Sequence, residues 1–120
     1  MEDKHNRKVG LFGEKMACKY LRKMNYKILD TNFYTYKGEI DIVSKFKNEY
    51  VFVEVKTRLS KQYGPAIEAV NKLKLHHFID ASKYYIYKNH LQNEKIRFDI
   101  IEVYINSNKI TINHIKNILF

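Results

Sequence analysis

Four charged side chains carry chemistry by type and spacing. Asp41 sits in the run Gly38–Val43 (GEIDIV), Glu54 and Lys56 in the run Tyr50–Thr57 (YVFVEVKT), and Glu14 lies upstream. Buried carboxylates repel each other and lose hydration, so two in one small volume need compensation. Asp41 and Glu54 suit a hard divalent cation, Mg2+ or Mn2+, and the Val55 backbone carbonyl offers a further oxygen ligand. Such an ion orients or activates water and steadies negative charge on phosphorus. Lys56 positions that water or balances the same charge. Glu14 would hold an outer water of the ion or help bind a second one. For an isolated E-V-K a surface ion pair is the simpler explanation, and a first-turn glutamate is favoured by the helix dipole alone.

The elements that must position these groups follow from periodicity. Gly38–Val43 and Tyr50–Thr57 alternate with period two around a polar link containing Lys47, Asn48 and Glu49, the pattern of a β-hairpin. Side chains on a strand alternate between faces. Glu39, Asp41 and Val43 are therefore expected on one face, with Ile40 and Ile42 on the other. In the second strand Val51, Val53 and Val55 point one way and Phe52, Glu54 and Lys56 the other. Glu54 and Lys56 then stand about 6.6–6.8 Å apart along the chain.

Upstream, Val9–Met24 reads as a helix with an apolar arc of Phe12, Met16, Ala17, Tyr20, Leu21 and Met24, and Glu14 at its rim. Residues 1–8 read as a flexible arm and Asn25 as the helix exit. Lys27–Tyr34 is a strand. Gly64 and Pro65 open a long helix, Pro65 to Tyr87, with Ala66, Ala69, Val70, Leu73, His77 and Tyr84 broadly on one side. Lys95–Tyr104 and Lys109–Ile112 are strands, and Ile115, Ile118, Leu119 and Phe120 form an apolar tail expected as a helical turn. The order is α-β-β-β-α-β-(β).

The bulk properties bound the function. At 120 residues the chain makes one domain, 9–120. Its 22 Lys and Arg against 13 Asp and Glu leave a charge of +9, which attracts polyanions. The single cysteine, Cys18, excludes an intrachain disulfide framework, and its helical setting predicts a small buried thiol. With no apolar h-region behind Met1 and no apolar run of 18 residues, a cytoplasmic protein without membrane insertion is expected.

The joined motifs G-E-I-D-I-V at 38–43 and V-F-V-E-V-K-T-R at 51–58 resemble the small, uncharacterised YraN-type bacterial family, UPF0102. That family in turn resembles the PD-(D/E)XK nucleases, especially archaeal Holliday-junction resolvases. The resemblance extends through G-E-K-M-A at 13–17, Y-L at 20–21, Asn32, Lys74 and R-F-D-I-I at 97–101. It implies Asp41 as the strand aspartate, Glu54 as the second carboxylate, Lys56 as the catalytic lysine and Glu14 as the helix glutamate. The proline of the nominal motif is absent, since Ile40 precedes Asp41. The implied fold is α/β, a restriction-endonuclease-like three-layer domain with a central mixed β-sheet. The implied activity is a Mg2+- or Mn2+-dependent nuclease acting on DNA, structured or branched DNA included. Resolvase-like relatives suggest a homodimer.

Arg58 and Lys61 follow the EVK strand, where they would clamp backbone phosphates. Tyr63 and Gly64 share that loop, and Lys74 faces the nucleic acid or supports the site. Phosphate contacts of this kind bind with little base preference and weaken with salt. Solvated surface charge is the alternative for each. Tyr84, Tyr85 and Tyr87 diverge around a helix and are expected in packing or helix-edge contacts rather than as a stacking platform. Three function classes stay open: a metal-dependent phosphodiesterase, a non-catalytic nucleic-acid-binding module with the same sheet, and a structural interaction protein whose basic charge is incidental.

Overall fold

Small residues let the first helix lie close against the sheet. In the computed structural model, which describes residues 4–59 and 72–119, α1 spans Lys4–Lys23. It starts five residues before the expected Val9, so half of the supposed arm is helical. Its line of contact is Gly13, Ala17 and Leu21, four residues apart and all buried. A Cβ on Gly13 would lie 1.8 Å from Thr57 Oγ1, so only glycine permits this approach. With the helix seated on that line, Phe12 and Met24 fall outside the expected arc and remain exposed. Cys18 is buried, as anticipated. The helix ends in a Schellman motif: Tyr26 N–H donates to Leu21 O at 2.9 Å and Asn25 N–H to Arg22 O at 3.0 Å. Asn25, at φ 72°, is the left-handed residue this motif requires.

The strands are β1 (Lys27–Thr35), β2 (Gly38–Phe46), β3 (Glu49–Leu59), β4 (Lys95–Asn106) and β5 (Lys109–Ile115). They form one sheet in the order β1-β2-β3-β4-β5. All neighbours are antiparallel except β3 and β4, which run parallel. A parallel pair needs a crossover, and α2 (Lys72–Lys88) lies between them in the chain. Lys61, Tyr63, Gly64 and Pro65, with the first part of the expected long helix, lie outside the described residues. β5 reaches Ile115, three residues further than expected. Residues 116–119 beyond it are not helical, and Phe120 lies outside the described residues. Ile118 N–H donates to Phe98 O at 2.8 Å and its side chain packs against the α2-side core.

Two apolar clusters flank the sheet. Ala17, Cys18 and Leu21 of α1 pack with Ile42, Val51, Val53, Val55, Ile101 and Val103. Phe78, Ala81 and Tyr85 of α2 pack with Ile40, Val43 and Phe52. The buried face of α2 is thus Phe78–Ala81–Tyr85. His77 and Tyr84, expected on the apolar side, are exposed instead. The β3 faces alternate as expected. β2 does not: Ile40 and Ile42 join opposite clusters, so alternation breaks between them, at Asp41.

Asp99, fully buried on β4, is a structural partner. It accepts from Arg97 (Nε 3.0 Å, Nη2 2.9 Å) and from the Asn117 amide at 3.1 Å, and it pairs with His114 Nε2 at 2.7 Å. Arg97 also donates to Tyr26 Oη at 2.6 Å and Glu49 at 3.1 Å, tying β3, β4, β5 and the α1 exit together. Among the described residues no helix is long and apolar enough to cross a membrane. A helix on each face of a mixed sheet, in the order α-β-β-β-α-β-β, is a restriction-endonuclease-like three-layer fold.

Candidate active site

The site begins where β2 and β3 part. Their ladder runs from Phe46–Glu49 to Ile42–Val53 and stops there. One residue further along β2, the Asp41 carboxylate replaces a backbone acceptor: Oδ2 takes the Val55 N–H at 2.8 Å. Both residues are buried. The break in alternation lets the Asp41 side chain turn in toward β3. β2 stays paired with β1 through Phe33–Ile40 and Tyr34–Glu39, so only the β2–β3 seam opens.

Glu54 and Lys56 are placed by β3, on the face that carries Phe52. Glu54 Oε2 lies 3.5 Å from Lys56 Nζ and 3.5 Å from Lys74 Nζ, the latter supplied by the first turn of α2. These are ion-pair distances, longer than the 2.7–2.9 Å or so of a well-formed charge-assisted hydrogen bond. Among the described residues Oε2 has no hydrogen-bond partner, although it is shielded from solvent. Glu54 itself is 2% exposed and Lys56 6%. The Lys74 side chain is half exposed, so it reaches from the site to the surface.

The electrostatics follow from burial. Desolvation first, and then the Glu54 charge, push Asp41 well above the usual carboxylate range, against the pull of the Val55 amide. Desolvation also lowers Lys56, opposed by Glu54 and reinforced by the Lys74 charge. For Lys74, desolvation is outweighed by Glu54 and Asp41, which raise it. Glu14 belongs to the same field: burial raises it, a hydrogen bond from Asn32 lowers it, and the charges of Glu39 and Glu54 raise it again. The structure therefore gathers Glu14, Asp41, Glu54, Lys56 and Lys74 into one constellation. Gly13 seats α1 against β3, which fixes the residue after it, Glu14, at the seam.

Two residues enter this site without having been assigned a role from their types. Asn32 holds the Glu14 carboxyl, and it adopts φ 51° within β1. An Asn inside a strand pattern, a strand-disfavoured residue that tolerates the left-handed region, was the available signal. Glu39 adds a fourth carboxylate, acting electrostatically on both Glu14 and Asp41. Arg58, two residues beyond Lys56, is partly buried and its Nε has no hydrogen-bond partner among the described residues. Lys61 lies outside those residues.

Among the described residues no three His, Cys, Asp or Glu side chains form a group that could by itself hold a metal ion. A closed all-protein cage is thus not built here. Mg2+ asks for less, because it keeps several waters and binds through one or two carboxylates together with substrate phosphate. Two carboxylates, one of them with a buried oxygen lacking a hydrogen bond, fit that requirement.

Other proteins are similar to this chain along most of its length. A UPF0102 protein of Caldanaerobacter subterraneus subsp. tengcongensis is 43% identical over 119 residues, covering 99% of this chain and 98% of the relative. One from Clostridioides difficile is 45% identical over 113 residues, with 94% and 97% covered. A third, from Clostridium acetobutylicum, is 48% identical over 101 residues, with 84% and 83% covered. The model of the uncharacterised protein family UPF0102 matches residues 13–103, from the glycine of α1 that meets Thr57 into the fourth strand, and the chain belongs to that family.

Proposed function

We propose that this protein is a metal-dependent nucleic-acid phosphodiesterase, an endonuclease acting on DNA, structured or branched DNA included. The observation that carries this reading is the opened β2–β3 seam, where two buried carboxylates and two ammonium groups face one another. Asp41 and Glu54 would hold Mg2+ or Mn2+, with the Val55 carbonyl as a backbone ligand and Glu14 in support. Bound there, such an ion would supply Lewis-acid chemistry, polarising a phosphoryl oxygen and making water a better nucleophile.

The chain's own groups do the rest. Lys56 Nζ, held at Glu54, orients the attacking water or donates to the phosphoryl oxygen as charge builds on phosphorus. Lys74 approaches Glu54 Oε2 from α2 and would neutralise the substrate phosphate at the surface end of the site. Among the described residues Arg58 Nε is a shielded donor without an acceptor, which suits a phosphate beside the scissile one. Water adds to phosphorus, the P–O bond to one sugar breaks, and that sugar oxygen leaves with a proton.

A second reading rests on one observation. Glu54 is already paired with two lysines, so the cluster can persist as an internal ion network without a metal. That is the non-catalytic nucleic-acid-binding module. Labelled linear, flap and four-way-junction DNA, incubated with Mn2+, Mg2+ or EDTA, separates the two. Metal-dependent cutting that disappears in Asp41→Asn supports the enzyme. Salt-sensitive binding without cutting supports the module, and wild-type turnover by both Asp41→Asn and Glu54→Gln overturns the assigned site.

A further inference from the structure

Four of the chain's ten tyrosines converge on one groove. The β1–β2 turn, Thr35–Gly38, lies against the exposed side of α2 and leaves two adjoining cavities of about 570 and 240 Å3. They share Thr35, Tyr36, Lys37 and Asp80. Tyr34 lines the larger, Tyr84 and Tyr87 the smaller. Among the described residues these four are all the tyrosines classed as exposed, at 70% (Tyr34), 91% (Tyr36), 45% (Tyr84) and 70% (Tyr87). Exposed aromatic rings scattered singly are ordinary, but this concentration on one concave surface is not.

The divergence expected for the helix tyrosines holds only in part. Tyr85 is buried against Phe52 and Phe33. Tyr84 and Tyr87, three residues apart, share the outer face of α2. Tyr84 is backed by Phe33 with the rings 6.3 Å apart and 27° from parallel. The opposite wall is held by Thr35, whose hydroxyl donates to Gly38 O at 3.0 Å and accepts from the Lys37 and Gly38 amides at 3.1 Å. At the floor, a Cβ on Gly38 would come within 2.5 Å of the His77 carbonyl, so glycine lets turn and helix touch.

The groove's charge and position complete the argument. Lys37 Nζ stands 5.7 Å from the Tyr36 ring centroid, and Lys83 lies on the other wall. Asp80 is engaged by His76 Nε2 at 3.7 Å. Glu39 lines the larger cavity and acts electrostatically on Asp41 and Glu14, so this end of the groove reaches the carboxylate constellation. Open aromatic faces beside lysines are how proteins hold unpaired bases without reading sequence.

We propose that this tyrosine-lined groove binds the unpaired bases of a single-stranded DNA segment, so that the preferred substrate is a duplex carrying a single-stranded tail or flap. The substrate preference rests on the nuclease reading above; the binding does not.

The test uses fluorescence anisotropy of the full chain in EDTA, where no cutting intervenes. The probes are a labelled single strand of about 15 nucleotides, within the range of single-strand site sizes, a blunt duplex, and the same duplex with a single-stranded tail. Tyr36→Ala/Tyr87→Ala is expected to weaken the single strand and tailed duplex roughly tenfold or more, with the blunt duplex unchanged. Tyr36→Phe/Tyr87→Phe keeps the rings and is expected to bind like wild type. Both pairs sit on the surface, and circular dichroism checks their folding. Unchanged binding of the single strand by the alanine pair, equal loss on all three probes, or failure of wild type to bind the single strand overturns the proposal. Loss of single-strand binding in a protein that never cuts leaves the groove standing and removes only the nuclease reading.

Discussion

Asp41 Oδ2 accepts the Val55 amide at 2.8 Å, one residue beyond the last β2–β3 pair, Ile42–Val53. One carboxylate thereby does two things. It satisfies a buried backbone donor that the parted strands would otherwise leave unpaired, and it stands beside Glu54 in the opened seam. A side chain that substitutes for a ladder acceptor is held more firmly than one projecting from a loop, which suits a group that must keep a fixed position.

Asp41→Asn keeps an acceptor for Val55 and removes one of two repelling buried charges. The variant is expected to stay folded and to lose metal-dependent cleavage by roughly a hundredfold or more, the loss that follows removal of an electrostatic group in an active site. A second readout does not need activity. Mg2+ or Mn2+ at a hundred times its dissociation constant would stabilise wild type by about 2.7 kcal/mol, and this shift should vanish in Asp41→Asn. Equal melting shifts in the two proteins would remove Asp41 from the metal site.

Gly13→Ala forces a methyl group into Thr57, since the added Cβ would lie 1.8 Å from Oγ1. Pushing α1 off β3 should cost about 1–3 kcal/mol, the range for overpacked cores. Glu14 moves with the helix, so cleavage should fall further than stability does. Thr57→Ala in the same chain removes two of the three closest atoms and should restore part of the loss. Urea denaturation of the single and double variants measures both effects.

Asp99 carries a pH signature. Burial alone would raise its carboxyl, but His114, Arg97, the Asn117 amide and the Arg97 charge together hold it below its ordinary value. A depressed carboxyl stabilises the fold above its unfolded-state pKa, about 3.9, and that contribution is lost as pH falls through the lower folded value. Asp99→Asn removes the buried charge partner of Arg97 and leaves it only the partly exposed Glu49, so it should cost about 3 kcal/mol at pH 7, the low end for breaking a buried pair. The gap between wild type and variant should narrow below about pH 4. A gap that stays constant from pH 7 to pH 3 would show that the Asp99 charge is not what stabilises β4.

Arg58→Ala tests the phosphate contact. The shielded Nε has no internal hydrogen bond to lose among the described residues, so stability should change little. Binding to duplex DNA should weaken for all sequences alike, and the slope of log K against log salt should become shallower by about one. An unchanged slope would leave Arg58 as a solvated strand-end charge.

Much of this molecule could be read along the chain, because it depends on near neighbours. Period-two alternation placed Glu54 and Lys56 on one face of β3 and Val51, Val53 and Val55 on the other. Asn25 stopped α1 where a left-handed residue was needed. The buried line of α2 departs from the arc its pattern predicts: it is Phe78–Ala81–Tyr85, while His77 and Tyr84 face outward. A helical wheel shows which residues share a face but not which face meets the sheet when aromatics lie all round.

What the sequence by itself determined is the set of elements and the types of charged group offered on them. Propensity, period and caps act within a few residues and need no partner. Tertiary structure alone decided which groups meet. The opening of the seam at Asp41, with Ile40 and Ile42 sent to opposite cores, depends on where β3 stops pairing with β2. Lys74 reaches Glu54 only because α2 packs on that face, and Glu14 reaches the seam only because Gly13 lets α1 touch Thr57. Tyr36 meets Tyr84 and Tyr87 across some fifty residues of chain for the same reason. Such contacts are set by the packing of layers, which no local pattern encodes.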